Sequence, residues 1–434
     1  MKCVINFLSD MHQKSLRRLA QVQCEGYENC INQYKELFIV NFLDVKCKCQ
    51  SSCENCENCE QFIKIIDEIK KEDIEKFFDS IKDVYIKWID AKTRESIDIF
   101  EKLLNEYDIL DVLTEDIEKD IFFKGRKEKN ILTKWDMFHI PFNKRYLIQN
   151  QRYSLTGQPI IYLGKSIVDI VEELSVEDEI DLKISSFQIR DGLKIYDLRN
   201  NIFNDITKKS VSEFLGSNNS TFDRRKFFKN ILSSICSFER RREYKKYSFC
   251  EEYVIPQILA QIIKNQGYDG IIYYSTKRFN NIKFNDDNGE VKNKYEVKTK
   301  YKENLALFTN FNDEHVYDRD LYDQLKISVP IDISKVENIS IEDLEKIYNK
   351  IKNTGIKNIN IKSDIILSSF KREFNCMNID KNKYSETYMG KLHIYHIYCI
   401  LNEMLCETVK GWYYEWFKKY CENSRCITIY YGRW

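Results

Sequence analysis

Arg152-Tyr153-Ser154 is followed by the turn residues Gly157-Gln158-Pro159, by the apolar run IIYLG carrying Tyr162, and then by the adjacent carboxylates Glu172 and Glu173. An arginine, two tyrosines and a carboxylate around one turn and one strand suit an anionic, ring-bearing ligand. A guanidinium offers a permanently charged, bidentate fork to a pyrophosphate. A tyrosine face stacks on a heterocycle. A carboxylate can accept hydrogen bonds from such a ligand and stabilise positive charge developing on it. Upstream, FFKGRKEK sets Lys124 and Arg126 at the end of an apolar run, and MFHIPFNKR adds His139 and Arg145. Downstream, YDGIIYYSTKR sets Ser275 at the end of another. His139 before Ile-Pro reads as structural, and Arg145 as a solvated surface arginine.

A second chemistry lies nearer the start of the chain. The run CKCQSSCENCENC carries Cys47, Cys49, Cys53, Cys56 and Cys59, and eight of the fifteen cysteines fall within the first 59 residues. Overlapping C-x-x-C steps can place three or four thiolates round one tetrahedral ion, which predicts a structural zinc. Five cysteines exceed the usual four, and Cys24 or Cys30 could replace one, so the ligand set stays open. An iron–sulfur centre or a cysteine-rich loop that binds nothing are the alternatives. His393 and His396 stand one turn apart, but no third ligand accompanies them.

Elements must hold these groups in place. PIIYLG, LKIYDL and GIIYYS read as buried strands, and YVIPQILAQIIKNQG as a helix ending at Gly267. The polar stretch NNIKFNDDNGEVKNKYEVKTKYKEN predicts an exposed hairpin or loop. The four prolines, Pro141, Pro159, Pro256 and Pro330, all lie in the middle of the chain. On either side the apolar spacing is helical: Ile66, Ile69, Phe77, Ile81, Val84 and Trp88 in one segment, Ile97, Phe100, Leu104 and Tyr107 in another. Ser340 with Asp343 predicts a helix start before Ile341, Leu344, Tyr348 and Ile351. A last helix is expected over about 389–420, its aromatics Trp412, Tyr413, Trp416 and Phe417 serving packing or an interface. The expected fold class is α+β. A helical, cysteine-rich region spans 1–115, a mixed α/β region 116–325, and a helical extension 326–434.

Composition narrows the function. Lys plus Arg and Asp plus Glu both number 68 in 434 residues, so net charge points to no nucleic acid. No apolar run is long enough for a membrane span, and the first residues make a poor signal peptide, so a cytoplasmic location is expected.

The order of the central motifs resembles the RES domain, named for its arginine, glutamate and serine. The resemblance covers about residues 120–310 and rests on the Arg126 strand, MFHIPF, RYSLTGQPIIYLGKS with its downstream Glu-Glu, IYDL, and YDGIIYYS followed by NLALF. It implies a fold similar to ADP-ribosyltransferases and a toxin or antiviral defence effector that consumes NAD+, by hydrolysis, phosphorolysis or transfer of ADP-ribose to a protein. Carried onto this chain, the catalytic arginine and glutamate fall on Arg126 and Glu173. The NAD+-binding set is Arg126, Arg152, Tyr153, Tyr162 and Ser275. Lys124 could stand in for Arg126, and Glu172 for Glu173. Gln151 stands where the family has glycine. The usual partner would be an antitoxin or another regulatory protein, and homo-oligomers are possible. The first 115 residues are similar in character to the HEPN-like regions of some long RES proteins. They hold one histidine, His12, and no Arg-x4–6-His ribonuclease signature. The remaining reading is a non-catalytic binding module built on the metal region.

Overall fold

The structure is a computed structural model that describes, with short interruptions, residues 7–52, 66–110, 117–199, 223–276, 283–285, 291–293, 303–376 and 394–405. Ten strands are present among them: β1 (Ile121–Lys127), β2 (Ile160–Gly164), β3 (Leu182–Ile189), β4 (Ile195–Asp197), β5 (Gly270–Tyr274), β6 (Lys283–Asn285), β7 (Val291–Asn293), β8 (Glu303–Phe308), β9 (Leu325–Ile327) and β10 (Ile331–Asp332). Eight of them form one sheet in the order β10-β3-β1-β2-β8-β5-β4, with β9 also on β3. Only β4 and β5 run parallel. The polar stretch after β5 contains the predicted hairpin, β6 paired antiparallel with β7.

Successive strand residues point to opposite faces, and the two faces bury different cores. Phe122, Ile161, Leu163, Phe187, Ile272, Leu305 and Leu307 face one core together with Met137 and Phe138. Ile160, Tyr162, Ile271, Tyr273, Ala306 and Phe308 face the other.

That second core is made by helices. They are α1 (Asp10–Gln23), α2 (Tyr27–Ser52), α3 (Lys71–Ile89), α4 (Thr93–Glu106), α6 (Arg224–Ile235) and α7 (Val254–Asn265); the short α5 (Lys134–Met137) lies on the opposite face. Tyr27, Cys30, Ile31, Tyr34, Phe38 and Phe42 recur every three or four residues on α2, giving one apolar stripe. Ile74, Phe77, Phe78, Ile81, Val84 and Tyr85 do the same on α3. Each fully buried phenylalanine here contributes about 2 kcal/mol. Helix α7 is buried almost all round because it contacts α3 and α4 while also sharing the core of β5 and β8. It ends at Gly267, whose φ of 79° is the left-handed cap that glycine supplies without strain. Helices α1–α4 and the sheet thus share one continuous apolar core across the boundary drawn near residue 115.

Beyond α8 (Arg319–Asp323), helices α9 (Ile341–Asn353) and α10 (Lys357–Cys376) form a separate cluster with Ile394, Ile397, Leu401 and Met404. Helix α9 opens on the predicted capping box, Ser340 with Asp343. The architecture is α+β with helical flanks, as expected. Among the described residues no helix is long and apolar enough to cross a membrane.

Candidate active site

Gly164, Asn304 and Tyr273 stand opposite one another across β2, β8 and β5. Tyr162, Ala306 and Ile271 form the next row on the same face. A turn of helix after β2 lies close over this end of the sheet. Its Ile170 and Leu174 N–H groups donate to Ser166 and Ile170 carbonyls at 3.3 and 3.0 Å. The approach depends on two glycines. A Cβ on Gly125 would stand 2.3 Å from Ile170 Cγ2, and one on Gly164 would stand 2.9 Å from Ile170 Cδ1.

The turn delivers Glu173 to the sheet. Its Oε1 accepts from Asn304 Nδ2 at 2.6 Å and from Ser275 Oγ at 3.3 Å. Two residues named from the sequence, Glu173 and Ser275, are therefore in direct contact. Glu172 lies outside the described residues.

The Arg-Tyr-Ser loop forms the neighbouring wall. Gln257 reaches from α7, and its Nε2 donates to the carbonyls of Gln151 at 2.7 Å and Ser154 at 3.0 Å. Tyr162 Oη accepts the Tyr153 N–H at 3.1 Å and donates to Ser154 Oγ at 3.4 Å. The Tyr153 and Tyr273 rings lie 4.5 Å apart. Burial pushes the hydroxyls of Tyr153, Tyr162 and Tyr273 well above the usual tyrosine range, and the charge of Glu173 adds to the effect on Tyr273. These hydroxyls stay protonated and neutral beside the carboxylate.

Arg152 is buried in the same wall, its guanidinium directed to protein acceptors. It donates to the carbonyls of Cys236 at 2.6 Å and Phe238 at 2.9 Å and to Thr276 Oγ1 at 3.2 Å, and it lies 4.9 Å from the Tyr253 ring. Its observed contacts tie the 236–238 segment to the residue after Ser275.

The structure does not bring Arg126 to Glu173. Strand alternation turns Lys124 and Arg126 to the face of Phe122, toward α5. Exposed Arg126 donates to the Asp136 carbonyl at 3.1 Å, and Lys124 donates to the Phe138 carbonyl. Burial, then the neighbouring Arg126 charge, lowers Lys124 to about 7. His139 is structural. Its Nδ1 donates to the Ile140 carbonyl at 2.7 Å while Nε2 accepts the Asp318 N–H at 2.9 Å, which requires the neutral ring. Burial lowers it to about 4. Exposed Arg145 lies 5.3 Å from the Phe311 ring.

Sequence reading did not single out Asn304, Tyr273, Thr276 or Gln257. Asn304 opens the run NLALF and Tyr273 is the first tyrosine of GIIYY; a polar group near the end of each apolar strand was the available signal. Gln257 carried none.

At the same end of the sheet, buried Arg199 is held by Asp197, through Nε and an Nη at 3.0 Å each, and by Glu303 at 3.2 Å. Of the cysteine cluster, Cys47 is exposed and outside any disulfide and, with Cys49, belongs to α2. Cys53, Cys56 and Cys59 lie outside the described residues. Among the described residues no group of His, Cys, Asp and Glu gathers as a metal site. His393, His396 and the aromatics from Trp412 to Phe417 also lie outside the described residues.

Comparison with known proteins places one sequence beside this one. The chain is 31% identical over 219 residues to "Putative toxin YopC" of Bacillus subtilis (strain 168). The match covers 48% of this chain and 48% of that protein, so the chain spans about half the length of the curated relative it matches. No family model and no solved structure matches the chain.

Proposed function

We propose that this chain is a toxin-class enzyme of RES type that consumes NAD+, breaking the bond between nicotinamide and ribose beside Glu173. The observation that carries the reading is the half-buried carboxylate of Glu173, fixed on one oxygen by Asn304 and Ser275 and close enough to Tyr273 for its charge to act on that hydroxyl. The likeness to a toxin-named protein supports the cellular role.

In this mechanism the C–N bond breaks with both electrons leaving on nicotinamide, which departs neutral. Positive charge then builds on the ribose, and Glu173 stabilises it at short range in a water-poor setting. Water attacks the anomeric carbon and loses a proton to solvent, giving ADP-ribose, nicotinamide and one proton. Ser275 and Asn304 orient the carboxylate, and the half-buried Tyr162 offers its ring to the nicotinamide or adenine. Arg152 acts from behind the neighbouring wall, holding the segments that build it. Arg126, on the opposite face, takes no part at the carboxylate. A toxin of this kind requires restraint in its own cell, so a partner antitoxin is part of the proposal.

The test is incubation of the purified chain with NAD+, with nicotinamide and every ADP-ribosyl product quantified. Stoichiometric nicotinamide and free ADP-ribose are expected. ADP-ribose attached to protein would replace water with a protein acceptor at the same site. Intact NAD+ in the test tube, together with an undiminished cellular pool on expression, would overturn the reading.

A further inference from the structure

Thr276, the residue after Ser275, is gripped from two directions. Arg152 donates to its hydroxyl at 3.2 Å, and Lys14 Nζ, from α1, donates to its carbonyl at 2.8 Å. Lys14 is 4% exposed, and its ammonium is also 2.6 Å from Glu239 Oε1. Glu239 follows Phe238, whose carbonyl Arg152 holds. Its own carboxylate is shared with Arg18 at 3.2 Å, and its carbonyl accepts from Gln21 at 2.8 Å. Nearby, Asn230 on α6 donates to the Leu8 carbonyl at 3.0 Å.

A buried ammonium is costly unless paired and hydrogen-bonded. Apolar packing alone would seat α1 against the sheet without one. The ammonium here bonds the backbone one residue from the hydroxyl that holds Glu173, across 262 positions of sequence. We propose that Lys14 is a positioning residue of the active site. It fixes the Thr276 peptide, and through it the Ser275 hydroxyl that sets the angle of the Glu173 carboxylate. The first helix is thereby part of the catalytic scaffold. This rests on the reading of Glu173 as the reacting carboxylate.

The effect belongs to turnover and not to ligand affinity, because the carboxylate works on the transition state. Misplacing a catalytic group by about 1 Å can cost on the order of 100-fold in rate. Lys14→Met keeps the apolar stem and removes the ammonium. It is expected to lower kcat for NAD+ loss about 10- to 100-fold with KM changed less than about threefold, while Lys14→Arg restores most of the loss. Hydrogen exchange, measured on the same proteins without NAD+, is expected to quicken at 273–276 in Lys14→Met and to return toward wild type in Lys14→Arg. Unchanged kcat in a folded Lys14→Met, with wild-type NAD+ loss intact, would overturn the proposal and leave the NAD+ reading standing. Absent NAD+ loss in wild type would sink the NAD+ reading alone, and exchange at 273–276 would still decide the role of Lys14. Should Lys14→Met fail to fold, Glu239→Gln removes the charge that holds the ammonium from its other side. A several-fold fall in kcat then supports the proposal, and none contradicts it.

Discussion

Asn304 and Glu173 meet side chain to side chain, Nδ2 to Oε1 at 2.6 Å, across 131 positions of sequence. The amide stands in the middle of the cross-strand row Gly164–Asn304–Tyr273, so the carboxylate is referenced to three paired strands of the sheet. The Asn304 Oδ1 is buried with no hydrogen-bond partner. Replacement by alanine therefore relieves one unmet acceptor while removing the donor that Glu173 uses. Asn304→Ala is expected to lower kcat for NAD+ loss about 10- to 100-fold, with a melting temperature close to wild type. Steady-state kinetics beside a thermal melt checks it; a large drop in Tm with kcat preserved would assign Asn304 to folding instead.

Gly125 lets the Glu173 turn lie flat on the sheet. A methyl there would overlap Ile170 Cγ2 at 2.3 Å and Leu174 Cδ1 at 2.9 Å. Gly125→Ala should cost about 1–3 kcal/mol by overpacking and displace Glu173 enough to impair turnover. Urea denaturation and NAD+ assay on one preparation would check both parts.

Gln257 holds the loop that carries Arg152 and Tyr153 through two main-chain carbonyls and the Asn150 side chain. Gln257→Leu keeps the volume and leaves those acceptors unmet, at a cost of about 1–3 kcal/mol. The expected sign is a lower urea midpoint with an unchanged m-value. A midpoint equal to wild type would show that the loop is held by packing alone.

His139 gives the fold an acid-side dependence. Its pKa in the folded chain is lowered to about 4 from an ordinary 6.5, so the unfolded chain takes up the proton first as pH falls. Stability from this residue is complete above about 6.5 and is lost progressively toward about 4, by at most about 3 kcal/mol. His139→Gln should flatten the pH dependence of unfolding across that window, whatever its effect at neutral pH. An unaltered slope would mean that the ring titrates normally.

Much of the architecture was legible because it rests on local periodicity. The 3.6-residue spacing of Phe77, Ile81 and Val84 and the capping box at Ser340 led directly to α3 and α9. The strands IIYLG and GIIYY, and the contact of Glu173 with Ser275 that follows from pairing both strands to β8, were within reach of the motif order. The side of the sheet that Arg126 takes was not legible because it depends on strand parity. Its neighbour Gly125 faces the Glu173 turn, so Arg126 faces away. Arg152 was expected to reach for phosphate, whereas the observed partners are carbonyls of Cys236 and Phe238, brought there by tertiary packing that no local pattern encodes. The grip of Lys14 on Thr276 is likewise a product of long-range docking.

The most direct measurement is the cellular NAD+ pool after induced expression of wild type, Glu173→Gln and Arg126→Ala at matched protein levels, with growth followed in parallel. The account predicts a collapse of NAD+ and growth arrest with wild type, their near-absence with Glu173→Gln, and substantial retention of both with Arg126→Ala. NAD+ that collapses equally with Glu173→Gln would contradict the assignment of the reacting carboxylate, and growth arrest with an intact pool in wild type would contradict the chemistry itself.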